Sequence, residues 1–308
     1  MTPRSYLGVL DFDRDETLAV LARAAKLKQR WNTTHQAETA LIGSTLVGVY
    51  EKPSLRTRVT FEAGMAQLGG SAVYLGPNDI QLGTRESVAD VAHNLGRWVQ
   101  IIAARTFAHQ TVAGLARYSG VPVINALSEL EHPCQALADA LTFREHVGQR
   151  GKLAYVGDGN NVAHSLLLMC ALLGIDMAIA TPPTHAPLPA IVEQAQCVAA
   201  ENEAQITIGT DPRAAVRDAD AVYTDVWTSM GQEAEVGARM PVFTPYQINT
   251  DLLAASGKTS TIFMHCLPAH RGEEVTADVL DGPQSVVFDQ AENRLHVQKA
   301  LILHLLGK

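Results

Sequence analysis

Short apolar runs rich in β-favouring residues recur along this chain, and between most of them lies a segment of helix length. The runs are LVGVYE near 46, SAVYL near 71, VQIIAA near 99, VPVINA near 121, LAYVGD near 153, DMAIAT near 176, AQITIG near 204, AVYTDV near 221 and TIFMHC near 261. Such alternation marks parallel sheets assembled from βαβ units. The expected class is therefore α/β, with two doubly wound parallel-sheet domains and a cleft between them. Four runs precede the segment HPCQALADALTFREHVGQRGK and five follow it, so a helix beginning near His132 is expected to link the lobes. The boundary is placed near Gly148 to Lys152, giving a first domain of residues 1–148 and a second of 149–290. The last segment, 291–308, carries apolar residues at helical spacing and is expected to pack back on the first domain. A length of 308 residues suits two domains of ordinary size.

Net charge is −8, so no broad basic field exists to hold nucleic acid or an anionic membrane surface, and any anion site must be local. Cys134, Cys170, Cys197 and Cys266 show no paired CxxC spacing and read as reduced thiols. The opening residues, MTPRSYLGVLDFDRDE, have neither a secretory apolar core nor an Arg-rich, acid-poor transit pattern. No apolar run approaches the roughly 20 residues that span a bilayer. A reducing cytoplasm is the expected compartment.

In doubly wound sheets ligands bind beyond the carboxyl ends of the strands, so the residues just after each apolar run matter most. After the first run comes Glu51-Lys52-Pro53-Ser54-Leu55-Arg56-Thr57-Arg58, followed by a helix-like stretch ended by glycine. Ser54 sits as an N-cap, which turns the N–H groups of the next turn outward beside the Ser54 and Thr57 hydroxyls and Arg56. In isolation such a string is as often a solvated basic turn. Two further strand ends shift the balance: Arg105 directly follows VQIIAA, and His132 and Gln135 follow VPVINA. Guanidinium, hydroxyl, imidazole and amide groups at three exits of one sheet suit a phosphate with a carbonyl next to it. Taken singly, His132 reads as a helix-capping histidine and Gln135 as a first-turn surface residue.

The later strand ends carry a different chemistry. YVGDGNNVAHS is a strand, a Gly-rich turn and a helix start without the G-x-G-x-x-G spacing of a dinucleotide site. Its Asn160 and Asn161 amides suit a carboxylate or an amine. AVYTDVWTSMGQE ends a strand with Asp225, suited to an ammonium, ahead of a loop with Ser229, Met230 and Gly231. Asp225 alone also reads as a satisfied turn residue, and Ser229 suits either charged end of an amino acid. TIFMHCLPAH places His265 and Cys266 at another strand end. Cys266 reads as a buried small hydrophobe, as a nucleophile or as an orienting group near an amine; no Cys-His-Asn pattern supports covalent catalysis. His265, Cys266 and His270 lack the paired ligand spacing of a structural zinc site, so no metal is expected.

Four of these strings together resemble the aspartate/ornithine carbamoyltransferase family: S-x-R-T-R at Ser54 to Arg58, H-P-x-Q at His132 to Gln135, D-x-x-x-S-M-G at Asp225 to Gly231 and H-C-L-P at His265 to Pro268. Leu55 stands where many relatives have threonine, at a position the family uses through its backbone. The resemblance covers nearly the whole chain. It implies transfer of the carbamoyl group of carbamoyl phosphate to the side-chain amine of ornithine, giving citrulline and phosphate without a cofactor. Arginine synthesis and breakdown would use the same site, and the compact length of 308 residues points to synthesis. It assigns Ser54, Leu55, Arg56, Thr57, Arg105 and Arg294 to the phosphate, and Arg105, Thr57 and His132 to the carbonyl oxygen. Gln135 and the main-chain carbonyls of Cys266 and Leu267 fall to the carbamoyl amide, and Asn161, Asp225, Ser229 and Met230 to ornithine. Asp225 and Cys266 are the candidates for orienting the amine, while Arg58 reads as support for the loop and Lys52 as the same or as a solvated side chain. The loop GPNDIQLGTRES resembles the family segment that reaches a neighbouring subunit, which implies a homotrimer, or a multiple of one, with Gln81 completing another chain's site.

The nearest rival acceptors are aspartate, putrescine and acylated ornithine. A dicarboxylate would be repelled by Asp225, and the intersubunit loop lacks the lysine used by aspartate-specific relatives, although Arg85 is close. The complete S-M-G string favours free ornithine. A noncatalytic amino-acid-binding protein would leave Arg56, Arg105 and His132 without a task.

Overall fold

A computed structural model describes residues 4–228 and 233–308. The chain divides into two compact units, one formed by residues up to Ala138 together with Glu292–Lys308, the other by Asp139–Ala291. The chain crosses between them inside the helices Pro133–His146 and Val287–Leu305. A helix can carry the chain from one core to another without exposing backbone polar groups, because its hydrogen bonds are internal.

The first unit holds a four-stranded parallel sheet: β1 (Thr45–Tyr50), β2 (Ser71–Leu75), β3 (Ile101–Arg105) and β4 (Val123–Leu127), in the order β2-β1-β3-β4. β3 is buried along all five residues, Ile101 to Arg105, as expected of a strand covered on both faces. Val47, Val49, Ile102 and Ala104 pack with Val91, Leu95, Val112 and Leu115 of the covering helices in one apolar cluster. Helix Val88–Trp98 meets helix His109–Ser119 so closely at Gly96 that a Cβ there would lie 1.6 Å from the Ser119 carbonyl oxygen. The edge of β4 is covered by Tyr6, whose N–H donates to Val123 at 2.8 Å and whose carbonyl accepts from Asn125 at 2.8 Å. The final helix belongs to this unit from Glu292 onward, with Lys28 donating to Asn293 at 2.8 Å.

The second unit holds five parallel strands: β5 (Lys152–Val156), β6 (Asp176–Ala180), β7 (Ile206–Gly209), β8 (Ala221–Thr224) and β9 (Ile262–His265), in the order β7-β6-β5-β8-β9. Helix Asn161–Leu173 is buried at every position from Val162 to Leu173, as an apolar helix packed between layers should be. Each of the nine apolar runs read from the sequence is a strand. Among the described residues, no helix is long and apolar enough to cross a membrane.

Each sheet has one switch point, where the chain leaves one strand toward one side and later returns on the other. In the first unit it lies between β1 and β3, and in the second between β5 and β8. Adjacent strands there send their connections to opposite faces, so the crevice outside their carboxyl ends is left uncovered. Tyr50, the last residue of β1, pairs with Arg105, the last of β3, and Tyr155 of β5 pairs with Tyr223 of β8.

Candidate functional site

The exits flanking the first switch point carry the S-x-R-T-R string and Arg105. Ser54 caps helix Leu55–Gln67, its hydroxyl accepting the Thr57 N–H at 3.3 Å. The helix opens at Leu55, which is 74% exposed. First-turn N–H groups lack intrahelical partners and carry the positive end of the helix dipole. Glu51 fixes the neighbouring exit: its N–H donates to the Arg105 carbonyl at 2.8 Å, and its carboxylate accepts the Phe107 N–H at 2.6 Å. Glu51 thereby ties down the chain just after Arg105.

The side chains that meet here come from distant parts of the sequence. Thr57, Arg105, His132, Gln135 and Arg294 are all at least 94% buried. Arg294, from the final helix, donates to the Gln135 amide oxygen and, at 3.3 Å, to the Thr57 hydroxyl. Burial, followed by the guanidinium groups of Arg294, Arg105 and Arg56, holds the His132 imidazole well below its ordinary range. His132 is therefore neutral at physiological pH, a hydrogen-bonding group without a charge of its own. This cluster is a buried cationic cradle with neutral donors at its side, suited to a phosphate joined to a polarised carbonyl.

Arg58 stands apart from the cradle: it pairs with Glu62 at 2.9 Å and lies 3.8 Å over the Tyr74 ring. Lys52 lies 4.3 Å over the Phe107 ring. Gln81 is exposed, at φ 50° at the end of the short helix Pro77–Ile80, and lines an open groove with Tyr50, Glu51, Pro77 and Phe107.

The second switch point gathers the other candidates. Asp225, just beyond β8, is buried, and its carboxylate accepts the Cys266 thiol at 2.9 Å and the Asn160 amide at 2.8 Å. Asn160 also caps helix Asn161–Leu173, its amide oxygen accepting from Val162 and Ala163 at 2.9 and 3.2 Å. The preceding Gly159 packs so tightly that a Cβ would lie 2.3 Å from the Pro187 nitrogen. Asn161 is half-buried at the first position of that helix. Of the three readings of Cys266, the orienting group fits its partial burial and its bond to Asp225. Ser229, Met230 and Gly231 lie outside the described residues.

His265 has a structural task. It is fully buried; its Nδ1 accepts the Leu267 N–H at 2.8 Å, so its proton sits on Nε2, 3.2 Å from the Glu274 carboxylate. Ligand-type atoms of Asp225, His265 and Cys266 lie within 4.8 Å of one another, but these hydrogen bonds already engage each of them. Leu267, at φ 57°, precedes a cis bond to Pro268. None of the four cysteines is joined in a disulfide.

Sequence reasoning missed several residues of this second cluster. Asp158, after β5, is buried and pairs with Arg239 of helix Val236–Phe243, and Arg239 also donates to the Trp227 carbonyl at 2.6 Å. The only trace in the sequence was the GDGNN turn itself, since Arg239 is 81 residues from Asp158.

Comparison with known proteins agrees with this division of labour. Residues 4–145 match the family model described as aspartate/ornithine carbamoyltransferase, carbamoyl-P binding domain, and residues 149–305 match its Asp/Orn binding domain. An ornithine carbamoyltransferase of Geobacillus stearothermophilus is 52% identical over 305 residues, covering 98% of this chain and 97% of that one. The solved ornithine carbamoyltransferase of Pyrococcus furiosus superposes with a TM-score of 0.95 at 48% identity, over 99% of this chain and 98% of that one. An anabolic ornithine carbamoyltransferase from Campylobacter jejuni superposes at 0.93 with 38% identity, over 98% of each chain.

Proposed function

The chain belongs to the aspartate/ornithine carbamoyltransferase family, and from that premise we propose that it transfers the carbamoyl group of carbamoyl phosphate to the side-chain amine of L-ornithine, giving L-citrulline and phosphate. The observation that carries this reading is the pair of chemically distinct clusters at the two switch points, one cationic and one carboxylate-bearing.

In the first cluster the opening turn of helix Leu55–Gln67 holds the phosphate, through Ser54, the Leu55 backbone, Arg56 and Thr57, joined by Arg105 and Arg294. Thr57, Arg105 and neutral His132 donate to the carbonyl oxygen, where negative charge grows as the amine attacks. A neutral imidazole suits this role, because a further cation is not needed to polarise the carbonyl and would hold the phosphate product. Gln135 and the carbonyls of Cys266 and Leu267 hold the carbamoyl amide.

Asn161, Asp225, Ser229 and Met230 hold ornithine, whose side-chain ammonium has an ordinary pKa of about 10.4 and must lose a proton before it can attack. Asp225, with Cys266 bonded to it, accepts from the amine and orients its lone pair. The new C–N bond forms a tetrahedral intermediate. The C–O bond to phosphate then breaks with its electron pair leaving on phosphate, and the nitrogen sheds its extra proton to the departing phosphate. Transfer requires the amine nitrogen to come within about 3–3.5 Å of the carbonyl carbon.

The assembly we propose is a homotrimer, or a multiple of one, in which Gln81 serves a neighbouring chain; its exposure at the end of a short surface helix supports this. We place it in a reducing cytoplasm on the cysteine pattern, since Cys134, Cys170, Cys197 and Cys266 show no paired CxxC spacing. A role in arginine synthesis is supported by the similarity to the anabolic enzyme of Campylobacter jejuni. The testing assay supplies carbamoyl phosphate with ornithine, aspartate or putrescine. Citrulline should form rapidly, and the other acceptors should react poorly; preference for aspartate would overturn the assignment of the second cluster.

A further inference from the structure

The turn that follows the H-C-L-P string presents a group of ligand-type side chains that carbamoyl transfer does not use. Here the chain reverses tightly: the Glu273 N–H donates to the His270 carbonyl at 3.0 Å, the Gly272 N–H donates to the Val275 carbonyl at 2.8 Å, and Gly272 takes φ 89°. Gln247 clasps the turn, its side-chain amide donating to the Gly272 and Glu273 carbonyls at 3.0 and 2.7 Å. His270, Glu273 and Glu274 belong to this braced turn, and one potential ligand atom from each lies within 4.8 Å of the others.

Glu274 distinguishes this group from a patch of surface acids. It is fully buried, and its Oε1 accepts the His270 N–H at 2.6 Å and lies 3.2 Å from Nε2 of His265. Its Oε2 is buried as well and has no hydrogen-bond partner among the described residues. A buried carboxylate oxygen in that condition is unfavourable unless a donor or a cation reaches it. The same oxygen lies 4.0 Å from Nδ1 of His270, which in turn lies 3.6 Å from Oε2 of Glu273. The adjacent Arg271 does not supply the missing charge, because its guanidinium makes two hydrogen bonds to Asp281, at 2.9 and 2.6 Å.

We propose that Nδ1 of His270, the Glu273 carboxylate and Oε2 of Glu274 form a three-ligand site for a divalent transition-metal ion of the zinc type, with a fourth position open to water. Imidazole and carboxylates are a ligand set that zinc accepts, with bonds of about 2.0–2.2 Å, and around a tetrahedral ion such bonds set the ligand atoms roughly 3.3–3.6 Å apart. The two distances from His270 are close to that range. The exposed imidazole and the half-buried Glu273 have room to complete the adjustment. The expectation of no metal weighed His270 together with His265 and Cys266; the fold instead gives His270 two glutamates and sets His265 behind Glu274. His265 then serves as outer support to a ligating carboxylate. Since His265 also accepts the Leu267 N–H at 2.8 Å, an ion on Glu274 braces the base of the H-C-L-P segment without engaging Asp225 or Cys266.

The test titrates the full chain, stripped of metal, with Zn²⁺ by calorimetry and with Co²⁺ by visible absorption, for the parent, His270→Ala, Glu273→Gln and Cys266→Ser. His270 and Glu273 lie at the surface, so their replacement leaves the core intact, and the buried Glu274 is left in place. The parent should bind one ion per chain and melt at a higher temperature with zinc, because an ion held only by the folded state stabilises it. His270→Ala and Glu273→Gln should each weaken binding at least about tenfold and lose most of that rise, while Cys266→Ser binds as the parent does. Bound Co²⁺ should show only the weak bands of nitrogen and oxygen ligation. The proposal is overturned if no stoichiometric ion binds, or if either His270→Ala or Glu273→Gln binds as tightly as the parent. It is equally overturned by a sulfur-to-cobalt charge-transfer band that vanishes in Cys266→Ser, which would place the ion at Asp225, His265 and Cys266. The readout is binding and not turnover, so the result stands apart from the proposed carbamoyl transfer.

Discussion

Replacing Arg294 by methionine tests the carbamoyl phosphate cradle through a residue far from its motifs in the sequence. Arg294 is 3% exposed and donates to both Gln135 and Thr57. Methionine fills similar space, so the variant removes two hydrogen bonds and one buried cation without a large cavity. A hydrogen bond to a charged group contributes about 1.5–3 kcal/mol, and a buried acceptor left without a donor costs about 1–3 kcal/mol. Taking about 3 kcal/mol as the net loss toward a bound phosphate gives a roughly hundredfold fall in kcat/KM for carbamoyl phosphate. A second effect follows from the electrostatics. Arg294 is the foremost of the three guanidinium groups depressing His132, so its removal moves the imidazole back up toward its ordinary range. The assay pairs initial rates with an NMR titration of labelled histidine: in the parent, His132 stays neutral well below pH 6.5, and in the variant it titrates at higher pH. The sign for stability is equally fixed. A histidine with a depressed folded pKa contributes stability that is present above about 6.5 and is lost as pH falls toward the folded value, so acid destabilisation should be milder in the variant. A loss below about threefold, or an unmoved His132 titration, would refute the placement of Arg294 in the cradle.

Other outcomes follow from the same geometry. Arg105→Ala should lower turnover at least about a hundredfold, the scale of losing one transition-state donor, measured as citrulline formed per second; near-normal turnover would remove Arg105 from the chemistry. Mixing refolded Gln81→Ala and Arg105→Ala chains should regain part of the activity that each lacks alone, and sedimentation should give about three times the 33.1 kDa of one chain; no recovery on mixing would count against the shared site. Gly159→Ala should lower the melting temperature by several degrees, since a methyl 2.3 Å from Pro187 forces a shift worth about 1–3 kcal/mol. The same variant should weaken ornithine use, because the displaced turn carries Asn160.

Much of this was legible in the linear sequence because it is governed by local rules. Every strand announced itself by a short apolar run, and Ser54 caps its helix as its position before Leu55 required. Strand ends also directed attention to Arg105, His132 and Asp225. What local rules do not encode is strand order. Only the sequence β2-β1-β3-β4 sets Tyr50 beside Arg105, and only β5 beside β8 brings Asn160 to Asp225. The Asp158–Arg239 pair depends on the same adjacency, so nothing in either segment alone signals it. Asn160 and Asn161 look interchangeable as letters, yet only Asn160, as the cap of the helix, carries the hydrogen bond to Asp225. The linking helix itself was legible, but not the point of crossing, since helical periodicity in Pro133–His146 continues unchanged where the contacts of the chain pass from one core to the other.

The most direct single measurement follows the transferred atoms. Carbamoyl phosphate labelled with carbon-13 at its carbonyl is mixed with ornithine labelled with nitrogen-15 at its side-chain nitrogen, and the reaction is watched by carbon NMR. Carbamoyl transfer to the side-chain amine gives one new ureido carbon signal, split by its bond to nitrogen-15, growing in step with free phosphate. An unsplit carbamoyl signal on the α-nitrogen, or label released only as bicarbonate, would contradict it.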